Sequence, residues 1–161
     1  MTKTHTTQTD KQIPLPALML GGAGLLPFLL PTLVALTPAL ESWRQVGVMF
    51  TLTYGAVILS FMAGIRWGTS MLVYQQDQMQ LTKGLSLSVI PALLAYFLLI
   101  FPANIWAPLA LALLHILQAA SDIRASQKGE LPAWYANLRF GLTFGASACL
   151  LAVAGVQLGL T

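Results

Sequence analysis

The stretch SFMAGIRWG, residues 60–68, decides the fold, because it ends a long apolar run with an arginine beside a tryptophan. The run begins after Arg44 and ends at Arg66, and it contains no charged side chain between these two arginines. A helix needs about 20 mostly apolar residues to cross the hydrocarbon core of a bilayer. The stretch therefore predicts a membrane-spanning helix whose two ends are marked by positive charge.

The composition extends this interpretation to the whole chain. Of its 161 residues, 57% are hydrophobic and only 8% are charged, whereas roughly 25% are charged in an average soluble domain. A short soluble chain needs far more polar surface to cover its core. The net charge of +3 is scattered and does not indicate a nucleic-acid-binding surface. We therefore expect an all-α polytopic membrane protein whose main partner is the lipid bilayer.

Apolar runs that are long enough, or nearly so, to cross a bilayer divide the chain into five predicted segments. In chain order, from the first to the fifth, they cover residues 15–36, 45–65, 85–101, 104–120 and 138–158. The first segment contains Pro27 and Pro31, which predict a kink, because a proline leaves a helix carbonyl without its usual partner. Residues 1–14 are polar and are predicted to form a disordered cytoplasmic tail before a single transmembrane domain at 15–161.

The basic residues predict how the chain is oriented in the membrane. If all five segments cross it, one side holds Lys3, Lys11, Arg66, Lys83, Arg124, Lys128 and Arg139. The other side holds only Arg44. Because cytoplasmic loops are enriched in Lys and Arg, the N-terminus is predicted to be cytoplasmic and the C-terminus outside. A reporter that works only in the cytoplasm should be inactive when fused after Thr161, and strong activity there would contradict this orientation.

Tryptophans lie close to the ends of the predicted segments, where indole rings commonly occupy the interface between membrane and water. These predicted interface anchors are Trp43, Trp67, Trp106 and Trp134. We prefer this interpretation to an aromatic cage around a ligand, because each of the four lies near a predicted helix end.

Small residues predict the faces through which the helices pack, because glycine lets the backbones of membrane helices approach closely. In the fifth segment they recur at helical spacing, at Gly141, Gly145, Ala148, Ala152, Gly155 and Gly159. The second segment has two such faces. One carries Gly47, Thr51 and Gly55, and the other carries Thr53, Ser60 and Gly64. The second segment is therefore predicted to be the central helix. We interpret the face of the fifth segment as packing within the chain, with a homodimer seam as the alternative.

Polar side chains of the fourth segment share one helix face, because His115, Gln118 and Asp122 are spaced i, i+3 and i+7. Ionisable residues near membrane depth usually face the bundle interior and have a partner. We predict an Arg66–Asp122 ion pair that Gln118 and His115 extend inward; alternatively, both charges lie separately in the headgroup region. Tyr54 of the second segment is expected to need a partner for its hydroxyl. These five residues form the predicted polar cluster, which is either a ligand site or structural.

No catalytic motif, metal-ligand set or cofactor motif is found in the sequence. The only other histidine, His5, lies in the polar tail, and the single Cys149 lies in an apolar run. His115 therefore has no partner ligands at a suitable spacing for a metal. We expect no metal, no cofactor and no enzymatic activity, and we interpret Cys149 as a small buried hydrophobic residue.

The order of several stretches resembles a known family. They are GGAGLLPF at 21–28, YGAVILSF at 54–61, SFMAGIRWG at 60–68 and QAASDIR at 118–124. Together they resemble the domain-of-unknown-function 3429 family, whose members are similar to transmembrane protein 69. The resemblance implies a small multi-helix protein of the bacterial inner membrane, or of its mitochondrial descendant. It implies no established activity and no catalytic residue.

Two functions fit these patterns. The preferred one is a non-enzymatic accessory or assembly component of an inner-membrane complex, because packing faces dominate and no polar track crosses the membrane. The alternative is binding or transport of a small hydrophobic ligand, such as a quinone or lipid, in a pocket between the second and fourth segments. A deep apolar cleft beside the polar cluster would favour the alternative, and a tightly filled bundle would disfavour it.

Overall fold

The part of the chain that the structure describes, residues 12–100 and 105–159 of a computed structural model, forms helices and contains no strand. The helices are α1 (Leu15–Ala23), α2 (Leu26–Leu36), α3 (Arg44–Val73), α4 (Gln78–Ile100), α5 (Ala107–Gln127) and α6 (Ala133–Gln157). A short 3₁₀ helix, Pro38–Trp43, connects α2 to α3. The predicted all-α architecture is confirmed. Most of the predicted tail, residue 101 of the third predicted segment, residue 104 of the fourth and the last two residues of the predicted domain lie outside the described residues.

Four helical segments within the described ranges are long and apolar enough to cross a membrane. They are Leu15–Leu36, Pro38–Val73, Gln78–Ile100 and Ala133–Gln157. The remaining helix, α5, has 21 residues, but its polar side chains lower its hydropathy. Those side chains, among them His115, Gln118 and Asp122, are buried inside the bundle. The protein is therefore a multi-pass helical membrane protein, while the crossing by α5 and the orientation that depends on it stay predictions.

The helices extend beyond the apolar runs that predict them. α3 continues past Arg66 to Val73, so that SFMAGIRWG and Trp67 lie inside the helix and not at its end. Likewise, α4 begins at Gln78 instead of residue 85, and α6 begins at Ala133 instead of residue 138. An apolar run marks only the part of a helix at bilayer depth, because the backbone hydrogen bonds of polar turns form equally well beyond it.

α1 and α2 form one apolar segment that is broken at Gly24 and Leu25. Pro27 has no N–H, so a continuous helix would leave the carbonyl group of Ala23 without its usual partner. At the break, the Tyr54 hydroxyl of α3 donates a hydrogen bond to the Gly24 carbonyl oxygen at 3.0 Å. The helix is thus interrupted within the segment where a kink is predicted, and Tyr54 finds its partner in the backbone.

α3 is the central helix, because it contacts α2, α4, α5 and α6. It approaches α2 closely, because a Cβ atom added to Gly47 would lie 2.5 Å from the Pro31 carbonyl oxygen. One turn further on, the hydroxyl oxygens of Thr51 and Thr32 are 3.3 Å apart. The approach of α2 therefore requires a residue without a side chain at position 47. Gly84 of α4 likewise allows a close approach, because a Cβ atom there would overlap the side chain of Ser70 of α3. The sequence pattern does not single out Gly84.

The glycines of α3 and α6 pack against a neighbouring helix at fewer positions than their spacing predicts. A Cβ atom at Gly145 would lie 3.0 Å from the side chain of Leu25, and one at Gly55 of α3 would make ordinary contacts. At Gly64, Gly141 and Gly155, a Cβ atom would meet no described atom within 4 Å. The structure thus does not bring these last three into a helix contact. Periodicity defines a face of a helix, but it does not show what that face meets.

Alanine substitutions at two glycines of α3 test this difference. We expect Gly47→Ala to destabilise the protein by about 1–3 kcal/mol, because the added methyl group overlaps the backbone of α2. Gly64→Ala is the matched control and should be neutral or stabilising by up to about 1 kcal/mol, because alanine favours helix. The measurement is the unfolding free energy in mild detergent. Equal stabilities of the two variants would contradict the close packing at Gly47.

Candidate functional site

The buried carboxylate Asp122 is paired with Arg139 of α6. Arg139 Nε donates to Asp122 Oδ2 at 2.9 Å, and the two side chains are 3% and 0% exposed. Gln118 Nε2 donates to the other carboxylate oxygen, Oδ1, at 3.2 Å. The predicted Arg66–Asp122 ion pair is therefore wrong. The partner of Asp122 is Arg139 of α6, and not Arg66 of α3.

The turn between α5 and α6 brings Asp122 and Arg139 together. Gly129 follows the last turn of α5 and has a positive φ of 77°, a left-handed conformation that glycine adopts without strain. The N–H groups of Gly129 and Glu130 donate to the carbonyl oxygens of Ser126 and Ala125 at 3.1 and 2.9 Å. This pattern is a Schellman motif, which ends a helix and reverses the chain. The first turns of α6 therefore lie beside the last turns of α5.

Arg66 pairs with Glu130 in this same turn. Its Nη1 lies 3.4 Å from Glu130 Oε2, and the Tyr74 hydroxyl donates to Oε1 at 2.6 Å. The hydrogen bond to Glu130 and, to a smaller extent, burial raise the pKa of Tyr74. The ion pair is partly exposed to solvent, so it contributes at most about 1 kcal/mol. It links the C-terminal part of α3 to the turn that precedes α6.

His115 is fully buried and uses only one of its ring nitrogens. Its Nε2 lies 3.0 Å from the Gly55 carbonyl oxygen, and a carbonyl oxygen can only accept a hydrogen bond. Nε2 therefore carries the proton, and in the neutral ring Nδ1 has a free lone pair. Nδ1 has no hydrogen-bond partner among the residues that the structure describes. The ring of Phe28 stands edge-on to the imidazole, with the ring centres 6.0 Å apart.

A cavity of about 360 Å³ lies beside His115. Its walls come from α1, α2, α3, α5 and α6 and are mainly apolar, with side chains that include Leu20, Phe28, Ile58, Met62, Leu142 and Ala146. His115 and Arg139 line the same cavity. Tyr135 also lines it, with its hydroxyl 3.5 Å from Met62 Sδ. The volume falls within the range of roughly 300–1,000 Å³ that is typical of small-molecule sites.

Arg139 lines this cavity and has one hydrogen-bond donor without a partner. Its Nε is bonded to Asp122, but its Nη2 is buried and has no partner within the described part of the chain. A buried donor without a partner costs about 1–3 kcal/mol. Both unpartnered nitrogens, Arg139 Nη2 and His115 Nδ1, thus belong to residues that line the cavity, but the two atoms are themselves buried. Within the described ranges, no group of His, Cys, Asp and Glu side chains is arranged to hold a metal ion.

The cavity does not lie in the predicted place, and only one residue of the predicted polar cluster lines it. The space between α3 and α5 is filled, since Leu52, Leu59 and Leu111 are 1% exposed or less. His115 alone of the cluster faces the cavity. Tyr54, Arg66, Gln118 and Asp122 instead contact Gly24, Glu130 and Arg139 as described above. The sequence pattern does not identify Arg139 as a site residue. It lies at the start of the fifth apolar run, where a basic residue is expected only to mark the cytoplasmic side of the membrane.

These features define a polytopic helical membrane protein with a buried ion pair beside an apolar cavity. The family model described as "Protein of unknown function (DUF3429)" matches residues 13–155, and the chain belongs to this family. Transmembrane protein 69 of Xenopus tropicalis is 36% identical over 137 residues, which are 83% of this chain and 51% of that relative. The chain thus spans about half the length of this curated relative. No solved structure matches the chain at a significant level.

Substitutions in the buried ion pair test its part in stability. Removing one partner, in Asp122→Leu or in Arg139→Met, should cost about 3–5 kcal/mol, because the remaining charge is buried without compensation. The double substitution should lie much closer to the wild type, since it leaves no buried charge. As a control at the partly exposed pair, Arg66→Met should cost at most about 1 kcal/mol. The measurement is the unfolding free energy in mild detergent, and additive costs in the double variant would contradict the pairing.

Proposed function

We propose that this protein binds a small hydrophobic molecule in the cavity between α1, α3 and α6. The observation that supports the proposal is the mainly apolar cavity of about 360 Å³, whose lining includes two polar residues, His115 and Arg139. Ligand sites are mostly apolar and carry a few polar groups that orient the ligand.

The outer wall of the cavity suggests how such a molecule enters. α1 has no buried residue along its length, and Leu20, which lines the cavity, is 75% exposed. The break at Gly24 and Leu25 separates α1 from the better packed α2. A lipid-soluble molecule therefore has a short path from the bilayer past α1. We propose that this bilayer is the bacterial cytoplasmic membrane, with the N-terminus on the cytoplasmic side.

A second candidate function is that of an accessory or assembly component of an inner-membrane complex. It is supported by the outward face of α6, where a Cβ atom at Gly141 or Gly155 would meet no described atom within 4 Å and Ala148 is exposed. Such faces let another membrane helix approach closely. Loss of co-purifying proteins from an Ala148→Leu variant would support this role, and isolation of the wild-type protein always alone would count against it.

A cavity-filling substitution tests the binding function. Ala146 of α6 lines the cavity and is 3% exposed, so Ala146→Leu should occupy the space beside Arg139. Decyl-benzoquinone, used as an apolar probe at a hundredfold excess over its Kd, should raise the Tm of the wild type by about 5 °C or more. The same probe should leave the Tm of Ala146→Leu unchanged.

The matched control is Ala148→Leu, because Ala148 lies on the opposite, exposed face of the same helix. This variant should respond to the probe as the wild type does. Equal stabilisation of Ala146→Leu, or no stabilisation of the wild type by any apolar probe, would contradict binding in the cavity. Solvent extraction of the purified protein followed by mass spectrometry then identifies the molecule that accompanies it.

A further inference from the structure

We propose that α1 is a lid on the cavity and swings outward about the break at Gly24 and Leu25. The open position admits and releases the bound molecule, and the closed position is the one that the structure shows. The hydrogen bond from the Tyr54 hydroxyl to the Gly24 carbonyl oxygen holds the hinge and slows the opening. This inference rests on the proposed binding function and adds the element that controls how fast the site fills and empties.

One face of α1 forms a wall of the cavity. The residues of this face are spaced i, i+3, i+4 and i+7, and they are Ala17, Leu20, Gly21 and Gly24. No residue of α1 is buried, so its other faces lie towards the bilayer. Among the described helices, α1 packs mainly against α6, where a Cβ atom at Gly21 would lie 3.0 Å from the side chain of Leu142. Separation of α1 from α6 therefore opens the cavity to the bilayer.

The break between α1 and α2 has the features of a hinge. Pro27 has no N–H, and the Phe28 N–H donates to the Leu25 carbonyl oxygen at 3.0 Å. The Gly24 carbonyl oxygen accepts its hydrogen bond from the Tyr54 hydroxyl instead, also at 3.0 Å. The regular hydrogen bonds that keep a helix straight are thus interrupted at this point. A few residues at the end of such an element can absorb the rotation of a moving segment.

The two sides of the hinge differ in how firmly they are held. On the α2 side, Phe28 is 1% exposed, and its ring stands edge-on to Tyr54 with the ring centres 4.9 Å apart. Leu25 packs on Gly145 of α6, where a Cβ atom would lie 3.0 Å from its side chain. α1 has no comparable buried contact. Because segments with few buried contacts open at the lowest free energy, α1 moves and α2 stays in place.

A disulfide between α1 and α6 tests the motion of the lid. Gly21→Cys and Leu142→Cys are combined with Cys149→Ala, so that no third thiol competes. Stopped-flow quenching of tryptophan fluorescence by decyl-benzoquinone gives the rates, because Trp134 lines the cavity. We expect the oxidised protein to bind and release the probe about tenfold more slowly than the same protein reduced, with Kd changed by less than about threefold. A lid sets both rates, whereas damage to the site would change Kd.

A substitution at the hinge has the opposite effect. Tyr54→Phe keeps the ring contact with Phe28 and removes the hydrogen bond to Gly24. It should raise the rates of binding and release about threefold each and leave Kd within about twofold of the wild type. Tyr96→Phe is the matched control and should have wild-type rates, because Tyr96 of α4 is 60% exposed. Unchanged rates in Tyr54→Phe would overturn the inference.

Distances between spin labels measure the lid directly and do not depend on formation of the disulfide. One pair joins Met19 of α1 to Phe140 of α6, and the reference pair joins Leu33 of α2 to Phe140. All three positions are more than half exposed, so the labels should not disturb the packing. We expect the α1 pair to show a second, longer distance that decyl-benzoquinone removes, and the α2 pair to show one distance throughout. A single α1 distance that the probe does not change would overturn the inference.

The failures of the two proposals are distinguishable. If decyl-benzoquinone binds the wild type and Ala146→Leu abolishes this binding, but the disulfide changes neither rate, the inference is overturned and the binding function stands. If no apolar probe binds the wild type, both the inference and the proposed function are overturned.

Discussion

The buried ion pair between Asp122 and Arg139 is the interaction on which the arrangement of this bundle depends. Two charges inside a membrane protein are tolerated only in contact with each other, so the pair sets the rotation of both helices that carry it. On α5 it turns the face that carries His115 and Gln118 inward. On α6 it directs the residues one and two turns further on, Leu142 and Ala146, to the cavity. The site is therefore a consequence of the pair as much as of the apolar packing.

The broken first segment explains why the cavity is not filled. The helix is interrupted at Gly24 and Leu25, and the Tyr54 hydroxyl donates a hydrogen bond to the Gly24 carbonyl oxygen at the break. α2 beyond the break packs tightly on α3, while α1 buries none of its residues. Elements with few buried contacts open most readily. The wall of the cavity that faces the bilayer is thus an element that opens readily.

The two proposed functions use opposite faces of the same helix. Ala146 faces the cavity, whereas Ala148 and Gly155 belong to the outward face, where no described atom meets a Cβ placed at Gly155. Binding of a small molecule and association with another membrane protein are therefore physically independent. One protein can perform both, as a component of a complex that holds an apolar ligand. Membership of the DUF3429 family is compatible with either role.

The sequence by itself determined the class of the protein, because apolar runs and rare charges leave lipid as the main solvent. It also determined the kink, since Pro27 cannot complete a helix, and the shared face of His115, Gln118 and Asp122, since helical spacing places them together. The tertiary structure alone decided which cation meets Asp122. Arg66 and Arg139 each lie at one end of an apolar run, and both are near the same end of the bundle. The reversal of the chain at Gly129 brings Arg139, and not Arg66, into contact with Asp122. It also decided which glycines pack and where space remains, because spacing along one helix carries no information about the neighbour that its face meets.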